Sequence, residues 1–278
     1  MKTIVLFFLF FLPSLLFAQA QVYPTHLTLT EESPSSYLNL KNPTSETQTY
    51  KIELTYFKMK KDGSMRPDPS TSTTLTDILK FSPKSISLTP NEKQVIRVMV
   101  TSFDNLEDGE SYVHLRFLPT QMKSGEEKNK TNGSSFSLTA RIAVAVPIIV
   151  RKGAGTIAGE IKNLKATYDK QRNLTVNLSL KNTSKYFLHG DLDLFAITNK
   201  GEVSLDKVIG LSSYLPERSY AKRISSEELA KKLNDERITK IKVSFKSNAE
   251  SASTFDLSQE TEVQATSTTS KNKRKSNK

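Results

Sequence analysis

Apolar and polar residues alternate with a period of two in short runs along most of this chain. At residues 50–56, for example, Tyr50, Ile52 and Leu54 alternate with polar side chains. Successive side chains of a β-strand point to opposite faces of a sheet, so this period is typical of half-buried strands. Similar runs lie at residues 27–29, 96–100, 113–117, 174–180, 192–194 and 241–245. Many short strands separated by turn sequences predict antiparallel β-sandwiches.

The length and a glycine-rich break predict two domains. The chain has 278 residues, of which 36% are hydrophobic and 8% aromatic, a composition that suits two thin cores better than one large core. Gly-Ala-Gly at residues 153–155 follows a long apolar run and marks a natural boundary. A strand ends in Asn-Pro-Thr-Ser at Asn42 and another in Asn-Thr-Ser at Asn182, which indicates related modules. We therefore predict an all-β protein with two immunoglobulin-like β-sandwich domains, at residues 21–151 and 152–257.

A short helix is predicted within the second domain. Ser225 and Glu228 have the spacing of a capping box, in which the serine accepts a hydrogen bond from the third residue of the helix. Leu229 and Leu233 follow one helical turn apart and would share one face. The pattern predicts an amphipathic helix over residues 226–234.

The two ends of the chain differ in composition from its body. Lys2 precedes an apolar stretch at residues 4–17, and Ala-Gln-Ala at residues 18–20 fits a signal-peptidase site. A membrane anchor needs about 20 apolar residues, so we predict that residues 1–20 are a secretory signal peptide and that the mature chain has no transmembrane segment. Residues 258–278 are polar and end in a basic run, which predicts a disordered basic tail.

The residue inventory argues against an enzyme. The chain has no Cys and three His, which removes disulfides and thiol chemistry, and it contains no phosphate-binding loop or hydrolase motif. His26 and His114 are isolated histidines on predicted strands and are expected to be structural, so we expect no metal and no cofactor. The net charge of +11 does not predict a nucleic-acid partner, because an exported protein rarely meets nucleic acid.

The most unusual segment is residues 135–151. Alternate positions are apolar from Phe136 to Val150, whereas the positions between them begin polar and become apolar from Ala143 onwards. At about 3.3 Å per residue this run would span more than about 50 Å, far beyond a usual strand. Two interpretations are open. One strand could complete the core and project an apolar row beyond it, or two shorter core strands could be separated near Ala143.

Several segments together resemble the periplasmic pilus chaperones of the PapD type. In the first half they are VYP at 22–24, LNLKN at 38–42, FSP at 81–83, QVIRV at 94–98, DGESYVHLRF at 108–117 and RIAVAVPIIVR at 141–151. In the second half, LSLKNTS at 178–184 and YLP at 214–216 fit more loosely. The order and spacing of the segments carry the resemblance, which covers about residues 21–250.

The resemblance implies two immunoglobulin-like domains in a boomerang arrangement and a non-enzymatic chaperone of the periplasm, active in fimbrium biogenesis at the cell envelope. Such a chaperone binds pilus or fimbrial subunits that lack a strand and lends them one of its own, by donor-strand complementation. Phe136, Leu138, Ala140 and Ile142 would form the donor face. Whether an outer-membrane usher takes part stays open. The alternative is an immunoglobulin-like envelope or adhesion protein that donates no strand.

The sequence departs from this family at the cleft that anchors the subunit. The family grips the subunit's terminal carboxylate with an arginine on the first strand and a lysine on the long strand. The matching positions here are His26 and Pro147. A neutral histidine holds a carboxylate less firmly than arginine does, and proline has no N–H to donate. Arg116, Arg141 and Arg151 are the other basic candidates for the cleft.

Overall fold

The chain forms two β-sandwiches that follow one another in sequence. The computed structural model describes residues 20–71, 73–120, 142–234, 236–248 and 251–265. In chain order the elements are β1 (Gln21–Tyr23), β2 (Leu27–Thr30), β3 (Ser35–Lys41), β4 (Gln48–Thr55), β5 (Phe57–Met59), β6 (Met65–Pro67), α1 (Thr74–Ile78), β7 (Leu79–Ser82), β8 (Ser85–Leu88), β9 (Lys93–Val100), β10 (Gly109–Pro119), β11 (Val144–Lys152), β12 (Gly159–Tyr168), β13 (Leu174–Asn182), β14 (Leu188–Thr198), β15 (Gly201–Ser213), β16 (Glu217–Ile224), α2 (Ser226–Leu233), β17 (Lys240–Ser247) and β18 (Asp256–Ala265). The predicted all-β class is confirmed.

Two sheets pack face to face in the first sandwich, which runs from β1 to β11. One sheet has the strand order β1-β3-β9-β7 and the other β2-β11-β10-β4-β8, while β5 and β6 form a hairpin of their own. Along β3, Leu38 and Leu40 are buried while Tyr37 and Asn39 are exposed. Burying a large apolar side chain contributes about 1.5–3 kcal/mol, which is why the alternating sequence settles with these faces inward. The five-residue helix α1 was not predicted.

The second sandwich, from β12 to β18, is one sheet that folds over on itself. Its strand order is β15-β14-β17-β18-β12-β13-β16. β18 joins the two halves, because it pairs antiparallel with β17 over residues 256–262 and parallel with β12 over residues 263–265. Leu194 and Val243 from one half share a buried cluster with Val176 from the other.

β18 corrects the predicted start of the C-terminal tail. Disorder was predicted from residue 258, whereas residues 256–265 form a strand. Leu257 and Val263 pack against the core of the second sandwich. Glu260 and Glu262 between them lie opposite Lys242 and Lys240 of β17, and Lys240 Nζ lies 3.1 Å from a carboxylate oxygen of Glu260. Composition alone does not reveal this cross-strand charge pairing. Residues 266–278 lie outside the described residues.

The same side-chain turn follows a strand in each sandwich. In the first, the Asn42 amide nitrogen donates to the Glu46 carbonyl oxygen at 2.7 Å, and the Asn42 side-chain oxygen accepts from the Thr44 amide and hydroxyl groups at 3.1 and 2.8 Å. In the second, Asn182 makes the equivalent bonds with the residues four and two positions later, at 2.7 and 2.9 Å. The turn explains why both segments carry asparagine at the strand end.

α2 confirms the predicted helix in the second sandwich. The Ser225 hydroxyl oxygen accepts a hydrogen bond from the Glu228 backbone N–H at 3.1 Å, and Leu229 and Leu233 are buried. Asn234 ends the helix in the left-handed conformation, with φ of 47°. Within the described ranges, neither helix has the length and apolar character needed to cross a membrane.

Candidate functional site

A cleft of about 190 Å³ lies between the two sandwiches. The first sandwich lines it with Thr25, His26, Pro147 and Ile149, and the second with His189, Gly210, Ser212 and Tyr214. His26 directly precedes β2, and Pro147 and Ile149 lie on β11. These positions converge because β11 pairs in parallel with β2, with Ile148 opposite Leu27. The two positions that depart from the pilus-chaperone pattern, His26 and Pro147, therefore line one cleft.

Two histidines meet in this cleft, one from each sandwich. The ring centroids of His26 and His189 are 4.9 Å apart, and the ring planes are inclined at 58°. His189 Nδ1 lies 2.6 Å from the Ser212 hydroxyl oxygen, a hydrogen bond that fixes the orientation of the ring. His26 and His114 were predicted to be isolated histidines on strands, but His26 contacts a third histidine, His189. No sequence pattern links two residues that lie in different halves of the chain.

Tyr112 and His114 of β10 belong to an aromatic cluster beside the cleft that includes residues of the second sandwich. Tyr112 stacks on Tyr214 with ring centroids 4.3 Å apart, and its edge contacts Phe187 at 5.6 Å. The Tyr112 hydroxyl donates to the Phe57 carbonyl oxygen at 2.9 Å, and burial raises the pKa of this hydroxyl well above its usual value. His114 lies against Phe57, with centroids 4.6 Å apart. The cluster joins the outer face of the first sandwich to the second.

His114 should make the protein less stable in acid. Its side chain is 6% exposed, its Nδ1 atom has no hydrogen-bond partner among the described residues, and burial lowers its pKa from 6.5 to about 4. The folded state thus favours the neutral ring, so this contribution to stability is complete above about pH 6.5 and is lost as the pH falls toward 4. We expect a loss of roughly 2–3 kcal/mol, measured by urea unfolding at pH 7 and pH 4.5.

The variant His114→Phe removes the titrating ring while keeping an aromatic side chain beside Phe57. Its free energy of unfolding should fall less than that of the wild type between pH 7 and pH 4.5. Equal losses in the two proteins would show that His114 does not set the acid sensitivity.

Arg151 lies in a buried ion pair and does not line the cleft, contrary to its proposal as a cleft residue. Its Nη2 and Nε atoms each lie 2.7 Å from Glu110 Oε1, and the Glu110 side chain is 4% exposed. The other oxygen, Oε2, accepts from the Phe187 backbone N–H at 2.6 Å, so the pair joins the two sandwiches.

The backbone beside this pair also contacts the second sandwich: the Glu110 N–H donates to the Lys185 carbonyl at 3.0 Å. A Cβ on Gly109 would lie 2.7 Å from that carbonyl oxygen, so glycine is needed here.

Arg116 also lies away from the cleft lining. Arg116 is on β10, on the same face of the sheet as His114, and its Nη1 atom lies 3.4 Å from the Glu53 carboxylate. Arg141 lies outside the described residues. Of the four basic candidates, His26 lines the cleft. His189 on β14, Ser212 on β15 and Tyr214 directly after β15 were missed, because no sequence signal in the second half links these positions to the first half.

β11 is paired on one side only over its first half. β10 pairs with it from Val144 to Lys152, whereas its pairing with β2 covers residues 148–151. Residues 144–147, here called the open edge, pair with no strand on the β2 side within the described part of the chain. Unpaired backbone groups of this kind are a template for a strand from another chain. The open edge ends at Pro147, in the wall of the cleft.

Of the two interpretations left open for residues 135–151, a single continuous strand does not hold at Ile142 and Ala143. β11 begins at Val144, opposite Phe117 of β10, and the two residues before it are not in a strand. They have no neighbouring strand among the described residues to supply a ladder of hydrogen bonds. Ile142 is 49% exposed. The other predicted donor residues, Phe136, Leu138 and Ala140, lie outside the described residues.

The fold and the site define an all-β protein of two sandwiches with a cleft between them and an open strand edge at the cleft. No family model and no curated protein matches the chain. In structure it is similar to the CupB2 chaperone of Pseudomonas aeruginosa, at a TM-score of 0.47 and 11% identity over 87% of this chain and 100% of that one. It is similar also to a chain of the chaperone–tip adhesin complex of CFA/I fimbriae biogenesis, at 0.46 and 13%, and to the class 5 fimbriae chaperone CfaA, at 0.45 and 14%, each over 87% of this chain and 98% of the other.

Proposed function

We propose that this protein is a non-enzymatic chaperone that binds and caps incomplete immunoglobulin-like subunits of pili or fimbriae along the open edge. The observation that carries the proposal is the one-sided pairing of residues 144–147 beside the cleft. A strand edge of this kind gains a full ladder of hydrogen bonds when a segment of another chain adds to it. The proposed location is the periplasm, because residues 1–20 fit a signal peptide.

Donor-strand complementation would extend this edge toward the N-terminal side of β11. Phe136, Leu138, Ala140 and Ile142 are the proposed donor side chains that fill the groove of the subunit. The three larger ones would contribute about 5–9 kcal/mol before ordering costs, at about 1.5–3 kcal/mol for each buried side chain. Ordering of side chains and loss of rigid-body freedom reduce that sum. The remaining affinity suits a protein that must release its subunit for assembly.

The cleft is the proposed place for the end of the bound subunit strand. His26 lies in it, whereas Arg116 and Arg151 are held by Glu53 and Glu110. A carboxylate in the cleft would therefore meet imidazole, a weaker partner than guanidinium at neutral pH. We infer that affinity for a subunit depends on the open edge and the donor side chains more than on a charged anchor.

Co-purification tests this proposal with two exposed isoleucines. Tagged full-length protein is isolated from the periplasm of its native host as wild type, Ile142→Arg and Ile209→Arg, and bound proteins are identified by mass spectrometry. Ile142 precedes the open edge, while Ile209 lies on β15 and is 77% exposed. We expect a small β-rich exported protein in stoichiometric amount with the wild type and Ile209→Arg, and at least a tenfold loss with Ile142→Arg.

Two outcomes would contradict the proposal. The absence of any partner from all three folded proteins would favour an envelope or adhesion protein that donates no strand. A partner retained equally by Ile142→Arg would place the binding surface away from the donor segment. Circular dichroism on each variant verifies that the fold is kept.

A further inference from the structure

We propose that the outer face of the sheet β1-β3-β9-β7 binds the surface of a membrane that contains anionic phospholipids. The inference rests on exposed tyrosines and on cations that have no carboxylate partner, and it is independent of subunit binding. β11 and its open edge belong to the other sheet of the sandwich, so binding here leaves them accessible. The residues that carry the proposal, here called the tyrosine face, are Tyr23, Tyr37, Lys41, Lys93, Val95 and Arg97.

Two tyrosines and a valine form the centre of the tyrosine face. Tyr23 of β1 and Val95 of β9 lie on either side of Asn39 of β3, and Tyr37 is two residues before Asn39 on the same strand. Alternation along a strand therefore places all four side chains on one face of the sheet. Tyr23 is 73% exposed, Tyr37 53% and Val95 46%. This face thus presents apolar surface to solvent in the middle of a four-stranded sheet.

Three cations flank these apolar residues. Lys41 of β3 lies directly opposite Lys93 of β9, and Arg97 of β9 lies opposite Tyr37. Among the described residues, no carboxylate forms an ion pair with any of the three. Like charges that lie directly opposite each other destabilise a pair of strands. An anionic group bound between Lys41 and Lys93 would relieve this repulsion, so the pair points to a negatively charged partner.

Lysines of the second sandwich provide a contrast, because their charges are balanced locally. An amino group lies 2.7–3.1 Å from a carboxylate oxygen in each of Lys162, Lys207, Lys222, Lys240 and Lys242. On the tyrosine face, Glu92 directly precedes Lys93, but its carboxylate accepts from the backbone N–H and the hydroxyl of Thr89 at 2.7 and 2.8 Å. The positive charge of the tyrosine face therefore extends into solvent.

An anionic membrane surface suits both features of the tyrosine face. Tyrosine is favoured at the interface between lipid and water, because its ring is apolar and its hydroxyl group stays hydrated. Lysine and arginine near the surface are attracted to anionic headgroups. The core of a protein–protein interface, by contrast, is depleted in charged residues, whereas Arg97 lies directly beside Tyr37 here. Lipid phosphates can move within a fluid surface to meet cations spread over neighbouring strands.

Co-sedimentation of the full mature chain with vesicles tests the proposal. We expect binding to vesicles of phosphatidylglycerol and phosphatidylcholine in equal parts but not to phosphatidylcholine alone, and weaker binding in about 1 M salt than in about 0.1 M. Lys41→Ala/Lys93→Ala should weaken binding at least tenfold, since each cation contributes about fivefold. The matched control Lys207→Ala/Lys240→Ala removes the same charge from half-exposed lysines of the second sandwich and should change binding less than about threefold.

A tryptophan probe identifies the face that contacts the membrane and keeps the lysines in place. The chain has no Trp, so Tyr37→Trp and Ile209→Trp each carry a single indole, on the first and the second sandwich respectively. Brominated lipid in the phosphatidylglycerol vesicles should quench the fluorescence of Tyr37→Trp strongly and that of Ile209→Trp little.

Three results would overturn the proposal. The wild type could fail to bind phosphatidylglycerol vesicles while binding soluble polyglutamate, which would assign the tyrosine face to an acidic protein. Binding could be unchanged in the folded Lys41→Ala/Lys93→Ala variant, which would assign it to cations elsewhere in the chain. Equal quenching of Tyr37→Trp and Ile209→Trp would show that the tyrosine face is not the surface in contact with lipid.

Discussion

Replacing Glu110 with alanine should lower the free energy of unfolding by about 3–5 kcal/mol. The Glu110 carboxylate is buried, its Oε1 atom lies 2.7 Å from the Arg151 guanidinium, and its Oε2 atom accepts from the Phe187 backbone N–H. The variant would remove the Glu110 carboxylate from beside a guanidinium that is 17% exposed and from the Phe187 backbone N–H. Breaking one partner of a buried pair is costly because the remaining charge is uncompensated.

Urea unfolding of Glu110→Ala and of Glu53→Ala distinguishes the effect of burial from the effect of losing a charge, because each variant removes one carboxylate from an ion pair. Glu53 pairs with Arg116 on the same sheet at 3.4 Å, but both side chains are partly exposed, so its loss should cost at most about 1 kcal/mol. The double variant Glu110→Ala/Arg151→Met removes both charges and should recover much of the loss. Equal effects for Glu110→Ala and Glu53→Ala would contradict a buried, structural pair.

The Glu110 pair also shows how the cleft keeps its shape. Glu110 is the first residue after Gly109 on β10, and its backbone and side chain both contact the segment that leads into β14. His189, which faces His26, is the second residue of that strand. A loss of the pair would therefore disturb the spacing of the two histidines as well as overall stability.

The fold was predictable from the sequence where local pattern and burial coincide. The alternation at Tyr50, Ile52 and Leu54 predicted β4, and Ser225 with Glu228 predicted the start of α2. In each case neighbouring residues contain the information, because strand period and helix capping act over a few positions. The all-β class follows from such signals alone.

The parts that were not predictable depend on residues distant in sequence. β18 has a polar sequence and exists because β17 and β12 pair with it along its two halves. The contact between His26 and His189 depends on the packing of the two sandwiches. The Arg151 side chain pairs with Glu110 and does not line the cleft. Neither a cross-strand partner nor a domain contact has a local sequence signature.

Asn42→Asp changes a single group, but it should lower the free energy of unfolding at neutral pH by about 3–5 kcal/mol, as much as Glu110→Ala does. Asn42 is 0% exposed, and its amide nitrogen donates to three carbonyl oxygens, those of Glu46, Leu88 and Thr89, at 2.7, 3.0 and 3.2 Å. A carboxylate oxygen in that position would face three acceptors and donate nothing. The charge would be buried against the like partial charges of these carbonyl oxygens.

The pH dependence of the stability deficit tests whether the buried charge of Asn42→Asp is its cause. The three carbonyl groups should raise the pKa of the carboxyl group introduced by Asn42→Asp above the value of about 3.9 in the unfolded chain, so the folded variant binds a proton more readily than the unfolded chain does. Its deficit against the wild type should therefore be largest at pH 7 and shrink toward pH 4, where the protonated carboxyl group can donate again. Asn182→Asp is the matched control, since the Asn182 amide nitrogen donates to Tyr186 at 2.7 Å in the same turn of the second sandwich, and its loss should be smaller. If the loss of free energy of unfolding relative to the wild type does not change with pH, the new carboxylate faces solvent. In that case the three carbonyl groups do not hold this side chain in place.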